Sequence, residues 1–196
     1  VFSLMARPEY KKVAELKGKK IGITRIGSST HTATLYALNK AGLGANDYTM
    51  LALVEVPNIL TALVAGQIDA GALSPPTNSR AKKAGMVELQ NLAVDGPEFP
   101  STTIASTRSF VKSNPDAVRR FVRSIAEALQ IFRTNRQVGM RAIQKYTRLK
   151  ELDIVEDTYN QFHEAFDLPP YVSRNGINSL LASLGEKDPK IRQLKY

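Results

Sequence analysis

Cysteine is absent from the 196 residues. That excludes disulfides, thiolate metal sites and cysteine nucleophiles, and it fits an oxidising compartment. No apolar run approaches the ~20 residues that a helix needs to cross a bilayer. The opening stretch Val1-Phe2-Ser3-Leu4-Met5 is too short for a secretory signal and lacks a basic flank. An exported protein would therefore carry that signal upstream. Histidine occurs only twice, at His31 and His163. His163-Glu164 lacks the second histidine of a zinc-protease helix. His31 falls in the first turn of a predicted helix, where positive charge is unfavourable, which predicts a neutral surface residue. There is no Gly-x-Gly-x-x-Gly. The spacing Gly22-x4-Gly27 places Ser28 where a phosphate-cradling loop has its lysine. No catalytic base pairs convincingly with a nucleophile. Neither a metal nor a cofactor is expected, and no enzymatic activity. Internal repeats and low-complexity tracts are also lacking.

Apolar residues make up 43% and charged residues 23% of the chain, ordinary values for a globular protein. The net charge is +9. Such an excess fits nucleic acid, an anionic surface or an anionic ligand. The basic groups are dispersed, the densest lying at 17–20, at 80–83 and at Arg119, Arg120 and Arg123. Few aromatics sit among them as stacking platforms. A solvated basic surface is the simpler reading, and no nucleic-acid partner is expected.

The first half alternates strands and helices. Residues 20–24, 48–54, 68–73 and 87–93 read as short apolar strands. Between them lie predicted helices at 30–40, with Leu35 and Leu38 on one face, at 57–65, with Leu60, Leu63 and Val64 sharing a face, and a short one opened by Pro75-Pro76, which Ser74 can cap. Gly42, Gly66 and Gly85 stand just past the three helix ends, where glycine is favoured. This βαβαβαβ order predicts an α/β fold with a mostly parallel sheet covered by helices. The stretch 95–100 then breaks the pattern as a linker. Residues 102–106 read as one more strand, and the rest as helices. The longest opens at Asn114-Pro115-Asp116 and carries Val118, Phe121, Val122, Ile125, Leu129 and Phe132 at spacings of three and four. Others cover about 138–146, 152–166 and 175–184. The stripe Val155, Tyr159, Phe162 and Phe166 is expected to face a core.

Ligands of open parallel sheets bind beyond the carboxyl ends of the strands. Three strand-to-helix junctions reach that edge here: Gly27-Ser28-Ser29-Thr30, Glu55-Val56-Pro57-Asn58 and Ser74-Pro75-Pro76-Thr77. The first combines a flexible glycine, three hydroxyls and a helix N-terminus, whose free N–H donors and partial positive charge suit a carboxylate, sulfonate or phosphate. Alone, the same residues read better as a simple helix cap, and it is their place on this edge, with two more polar junctions, that favours binding.

The ordered set Leu16-Lys17-Gly18-Lys19-Lys20-Ile21-Gly22-Ile23, Gly27-Ser28-Ser29-Thr30, Ala62-Leu63-Val64-Ala65-Gly66-Gln67-Ile68-Asp69-Ala70, Leu73-Ser74-Pro75-Pro76 and Asn114-Pro115-Asp116-Ala117-Val118-Arg119-Arg120-Phe121 resembles the nitrate/sulfonate/taurine-type substrate-binding proteins of ABC importers. It does so over nearly the whole chain. The resemblance implies a type II periplasmic-binding-protein fold that closes like a hinged clamp, an extracytoplasmic location, and a membrane permease and ATPase as partners. The solute would be a small sulfonate, nitrate, carboxylate or pyrimidine precursor held in an interlobe cleft. Carried over by position, Gly27, Ser28, Ser29 and Thr30 would contact it, with Pro57, Asn58, Ser74, Pro75 and Pro76, while Asp69 takes a structural role. Family members have a further βαβα segment before the position of Val1. The implied layout is thus 1–14 as hinge and first-lobe strand, 15–97 as a complete second lobe, 98–106 as hinge, and 107–196 as the helical part of the first lobe. A truncated lobe exposes apolar surface, which predicts a homodimer or a domain swap. The fold is shared by effector domains of transcription regulators and by thiamine-pyrimidine synthases. The first would need an upstream helix-turn-helix, and the second is associated with a cysteine-rich motif that this chain lacks.

Overall fold

The computed structural model describes residues 1–96, 98, 102–185 and 190–194. They form two compact units, Val1–Pro97 and Glu98–Tyr196. The first holds all the described strands: β1 (Ser3–Ala6), β2 (Lys19–Ile23), β3 (Tyr48–Ala52), β4 (Ala70–Leu73) and β5 (Val87–Asn91). Helices α1 (Ser29–Lys40), α2 (Val56–Val64) and α3 (Thr77–Lys83) connect them. The sheet order is β3-β2-β4-β1-β5.

The sequence-predicted strands and helices of this unit are present, with ends shifted by a few residues. Residues 3–6 pair with β4 on one side and β5 on the other, antiparallel to both. The sheet is therefore mixed: four strands run one way and β1 runs between two of them in the opposite sense. The pattern Ser3-Leu4-Met5-Ala6 explains the placement. All four residues are buried, and successive side chains of a strand point to opposite faces. Leu4 and Ala6 join the core under α1 with Ile21, Ala37 and Leu38. Met5 joins the core under α2 and α3 with Ile59, Leu63, Leu73 and Ala81. A strand apolar on both faces is stable only inside a sheet covered on both sides.

Helix α2 buries Ile59, Ala62 and Leu63, and Val64 turns outward, contrary to the predicted face. It presses on the sheet at a glycine pair. Gly22 of β2 lies opposite Gly71 of β4. A Cβ at position 71 would stand 2.4 Å from the Ile59 Cγ2 atom, and one at position 22 would stand 2.6 Å from the Ile68 Cδ1 atom. Only glycine leaves room for that approach.

Asp69 ties the amino-terminal end of β4 to its neighbours. Its carboxylate accepts from the Arg7 guanidinium at 2.8 Å, the Tyr10 hydroxyl at 2.7 Å and the Lys20 backbone N–H at 2.9 Å. Its main chain also bonds Arg7 and Lys20, at 3.1 and 2.8 Å. The expected structural role of Asp69 is what these contacts describe. Burial works to raise the carboxyl pKa, but the Lys20 N–H, the Tyr10 hydroxyl and the charges of Arg7 and Lys19 together hold it below the ordinary value.

The second unit comprises α4 (Arg108–Ser113), α5 (Pro115–Thr134), α6 (Arg136–Thr147), α7 (Leu152–Ala165) and α8 (Arg174–Gly185). The strand expected at 102–106 does not form. Residues 103–107 are neither helix nor strand, and the Thr107 hydroxyl accepts from the Phe110 N–H at 3.2 Å to cap α4. A lone strand has no ladder to satisfy its backbone, whereas a cap does. Pro97, Phe99 and Pro100 of the expected linker lie outside the described residues. The α6–α7 pair has a small core of Ile143, Leu149, Ile154, Val155 and Tyr159, with Phe132 against it. The expected packing of Val155 and Tyr159 is met; Phe162 and Phe166 are only partly buried. Helix α5 is amphipathic, yet none of its residues is buried and Phe121 is 50% exposed. Among the described residues, no helix is long and apolar enough to cross a membrane.

A depressed carboxylate pKa stabilises the fold above the unfolded value of about 3.9, and that contribution disappears as pH falls through the lower folded value. Asp69→Asn should therefore lose about 1–3 kcal/mol at pH 7. The gap to the parent protein should shrink below about pH 4. Urea unfolding at both pH values checks this.

Candidate functional site

Parallel strands β3, β2 and β4 lie side by side, so the three polar junctions meet at one sheet edge. The first and second are stitched together by backbone bonds. The Leu53 N–H donates to the Ile23 carbonyl at 2.8 Å, and the Val54 N–H donates to the Thr24 carbonyl at 2.9 Å. All nine sequence-predicted residues sit at this edge, but their groups are used in different ways.

Ser28 is the N-cap of α1. Its hydroxyl accepts from the His31 N–H at 3.3 Å and donates to the Arg25 carbonyl at 2.7 Å. It also accepts from the Thr24 hydroxyl at 2.9 Å. Thr30 is buried; its hydroxyl accepts from the Thr24 N–H at 3.0 Å and lies 2.8 and 2.9 Å from the hydroxyls of Thr24 and Ser28. The hydroxyls of Ser28 and Thr30 are thus turned into a closed cluster that shapes the loop. The cap alone is worth about 1 kcal/mol. Gly27 adopts φ +81°, a conformation suited to glycine, and its N–H donates to the His31 Nδ1 atom at 3.1 Å.

That bond corrects the expectation for His31. The residue is buried, not on the surface. Its Nδ1 accepts a hydrogen bond and so carries no proton. The imidazole closes the loop from Gly27 to the first turn of α1. Thr24 is a second residue that sequence reasoning missed. Its hydroxyl is the hub of the cluster, and the only hint was its place at the end of a strand just before the loop.

Open donors remain. Among the described residues, the N–H groups of Ser29 and Thr30 have no acceptor within the chain, as the first turn of any helix leaves them. The Ser29 hydroxyl is likewise unengaged. No acidic residue occupies the first turn of α1, so the positive end of the helix is not neutralised there. Arg25 is exposed, and its guanidinium has no partner among the described residues. Two amides and a hydroxyl at one helix terminus, with an arginine three residues before the Ser28 cap, are suited to the oxygens of an anion.

The other junctions contribute differently. Pro57 and Asn58 are exposed. The Asn58 amide donates to the Leu53 carbonyl at 2.9 Å and braces the loop. Glu55 precedes α2 without a side-chain cap bond. Ser74 does not cap α3 through its hydroxyl; its carbonyl accepts from the Thr77 and Asn78 N–H groups at 2.8 and 3.1 Å. The helix begins at Thr77, after the cis Pro75-Pro76 bond, because Pro76 itself stands in the N-cap place. No group of three or more histidines and carboxylates suited to a metal occurs among the described residues.

The sequence pattern of the NMT1/THI5 like family matches residues 1–137. The chain belongs to that family. A candidate binding protein of Brucella abortus (strain 2308) is 30% identical over 197 residues, covering 98% of this chain and 61% of the relative. The taurine-binding periplasmic protein of Escherichia coli K12 is 26% identical over 156 residues, covering 79% of this chain and 48% of the relative. This member of the family thus spans about three fifths of the Brucella protein's length. Among solved structures, the alkanesulfonate-binding protein SsuA of Xanthomonas axonopodis pv. citri, bound to MOPS, has the same fold. Its TM-score is 0.73 at 23% identity, with 100% of this chain and 66% of that chain covered. The desulfurization enzyme DSZB shares the fold at a TM-score of 0.61 and 14% identity, covering 97% of this chain and 68% of that one. The expected α/β fold of the type II binding proteins is therefore present, and the fold by itself also carries an enzyme.

Proposed function

We propose that the chain is part of the solute-binding component of an ABC importer, taking a small organic anion, a sulfonate foremost, at the N-terminal end of α1. The observation that carries this reading is the set of unsatisfied donors: the Ser29 and Thr30 N–H groups, the Ser29 hydroxyl and the Arg25 guanidinium on the ligand edge of an α/β sheet. The names of the taurine- and alkanesulfonate-binding relatives support the choice of anion. A permease with its ATPase would receive the solute, outside the cytoplasm. On this reading Val1–Pro97 is one lobe and the helices after residue 107 belong to the other. The names of the binding-protein relatives support binding rather than catalysis. The regulator and synthase alternatives gain nothing from the named relatives.

The hydrogen-bond pattern supports a division of roles within the site. Ser29 and Arg25 contact the solute. Ser28, Thr24, Thr30 and His31 hold the loop, and Gly27 lets it turn. Ser29→Leu should leave the cap intact, preserve the melting temperature and weaken binding of an alkanesulfonate by tenfold or more. Titration calorimetry on the full-length protein checks this, and unchanged affinity would overturn the assignment.

The unburied apolar face of α5, with Phe121 and Val122 exposed, supports self-association of the 196-residue chain. Light scattering should give twice the monomer mass; a stable monomer contradicts it.

A further inference from the structure

Val54 stands in the left-handed region at φ +71°. For a β-branched residue this is a true outlier, because the branched side chain crowds the backbone there. The Glu55 N–H donates to the Leu53 carbonyl at 2.8 Å, closing a three-residue turn around Val54 of the rare, strained kind. Two further bonds hold it: the Asn58 amide on the same Leu53 carbonyl at 2.9 Å, and the Val54 N–H on the Thr24 carbonyl at 2.9 Å. Packing does not account for a valine here, since its side chain is 76% exposed and gains little from burial. Glycine or asparagine would meet the backbone demand at lower strain. Strained residues persist where the strained geometry itself serves the site.

The position of Val54 indicates the use. Its N–H is bonded to Thr24, whose hydroxyl meets Ser28 and Thr30 at the start of α1. On the adjoining loop, Ile26 is 65% exposed. Two bulky aliphatic side chains thus stand uncovered on the same edge as the open N–H donors and Arg25. Polar donors beside uncovered apolar surface match a ligand with a charged head and a carbon body.

We propose that Val54 is a specificity-determining residue, held outward on strained backbone so that it and Ile26 contact the carbon part of an organic anion and favour it over a bare inorganic oxyanion. The proposal rests on the anion being taken at the N-terminus of α1. Burying one aliphatic side chain against the ligand corresponds to about tenfold in affinity.

The test compares the full-length parent protein with Val54→Gly by calorimetry, using pentanesulfonate and inorganic sulfate, together with thermal melting. Val54→Gly should melt no lower than the parent, because glycine relaxes the turn. It should bind pentanesulfonate about tenfold more weakly and sulfate within about twofold of the parent. Val54→Asn, which also tolerates the left-handed backbone, should show the same split and serves if the glycine variant folds poorly. Unchanged pentanesulfonate affinity in a folded variant overturns the role of Val54, as does an equal loss for both anions. A parent protein that binds neither anion instead overturns the anion site on which the proposal rests.

Discussion

Asp69 joins three strands at the edge opposite the candidate site. One carboxylate accepts from Arg7 and Tyr10, which follow β1, and from the main chain of Lys20 in β2, while its own peptide leads into β4. These bonds set β1 antiparallel beside β4 and fix β2 on the other flank of β4. Charge-assisted bonds to a partly buried carboxylate are among the stronger polar contacts in a protein. Once the strands are fixed at that end, their carboxyl ends are fixed as well, and with them the three loops from which the site is built. The glycine pair Gly22 and Gly71 performs the matching task in the other direction, letting Ile59 seat α2 close against the sheet.

The site divides by hydrogen-bond accounting. Hydroxyls of Thr24, Ser28 and Thr30 satisfy one another and the loop backbone, and His31 takes the Gly27 N–H. What remains are the first-turn amides of Ser29 and Thr30, the Ser29 hydroxyl and the guanidinium of Arg25. A loop whose internal bonds are complete holds its open donors in place before any ligand arrives, and such preorganisation reduces the ordering that binding must impose.

Much of this was legible in the sequence. Alternating short apolar runs and glycine-stopped helices gave the α/β order of residues 19–91, because periodicity and helix-end chemistry are local signals. The direction of β1 was not legible. Three apolar residues and a serine fit any buried strand, and only partners distant in sequence, at 70–73 and 87–91, decide where they pair. Residues 102–106 read as a strand from β-branched content, but strand formation needs a neighbour and none is provided among the described residues. The Gly27-Ser28-Ser29-Thr30 loop was located correctly as a strand-to-helix junction. Its division of labour was hidden, since whether Ser28 or Ser29 caps the helix is decided by one residue of register. His31 looked exposed because a helix-start position says nothing about which face the ring turns to. Val54 carried no signal at all, valine being an improbable choice for left-handed backbone.

On the proposed reading, an anion is bound by the open amides at the start of α1. The most direct measurement is a titration of the isotope-labelled full-length protein with an alkanesulfonate, following backbone amide resonances. Saturable shifts are expected at Ser29 and Thr30, with small changes at the Gly27 amide, which is already bonded to His31. Saturable binding that leaves the Ser29 and Thr30 amides unmoved would contradict it.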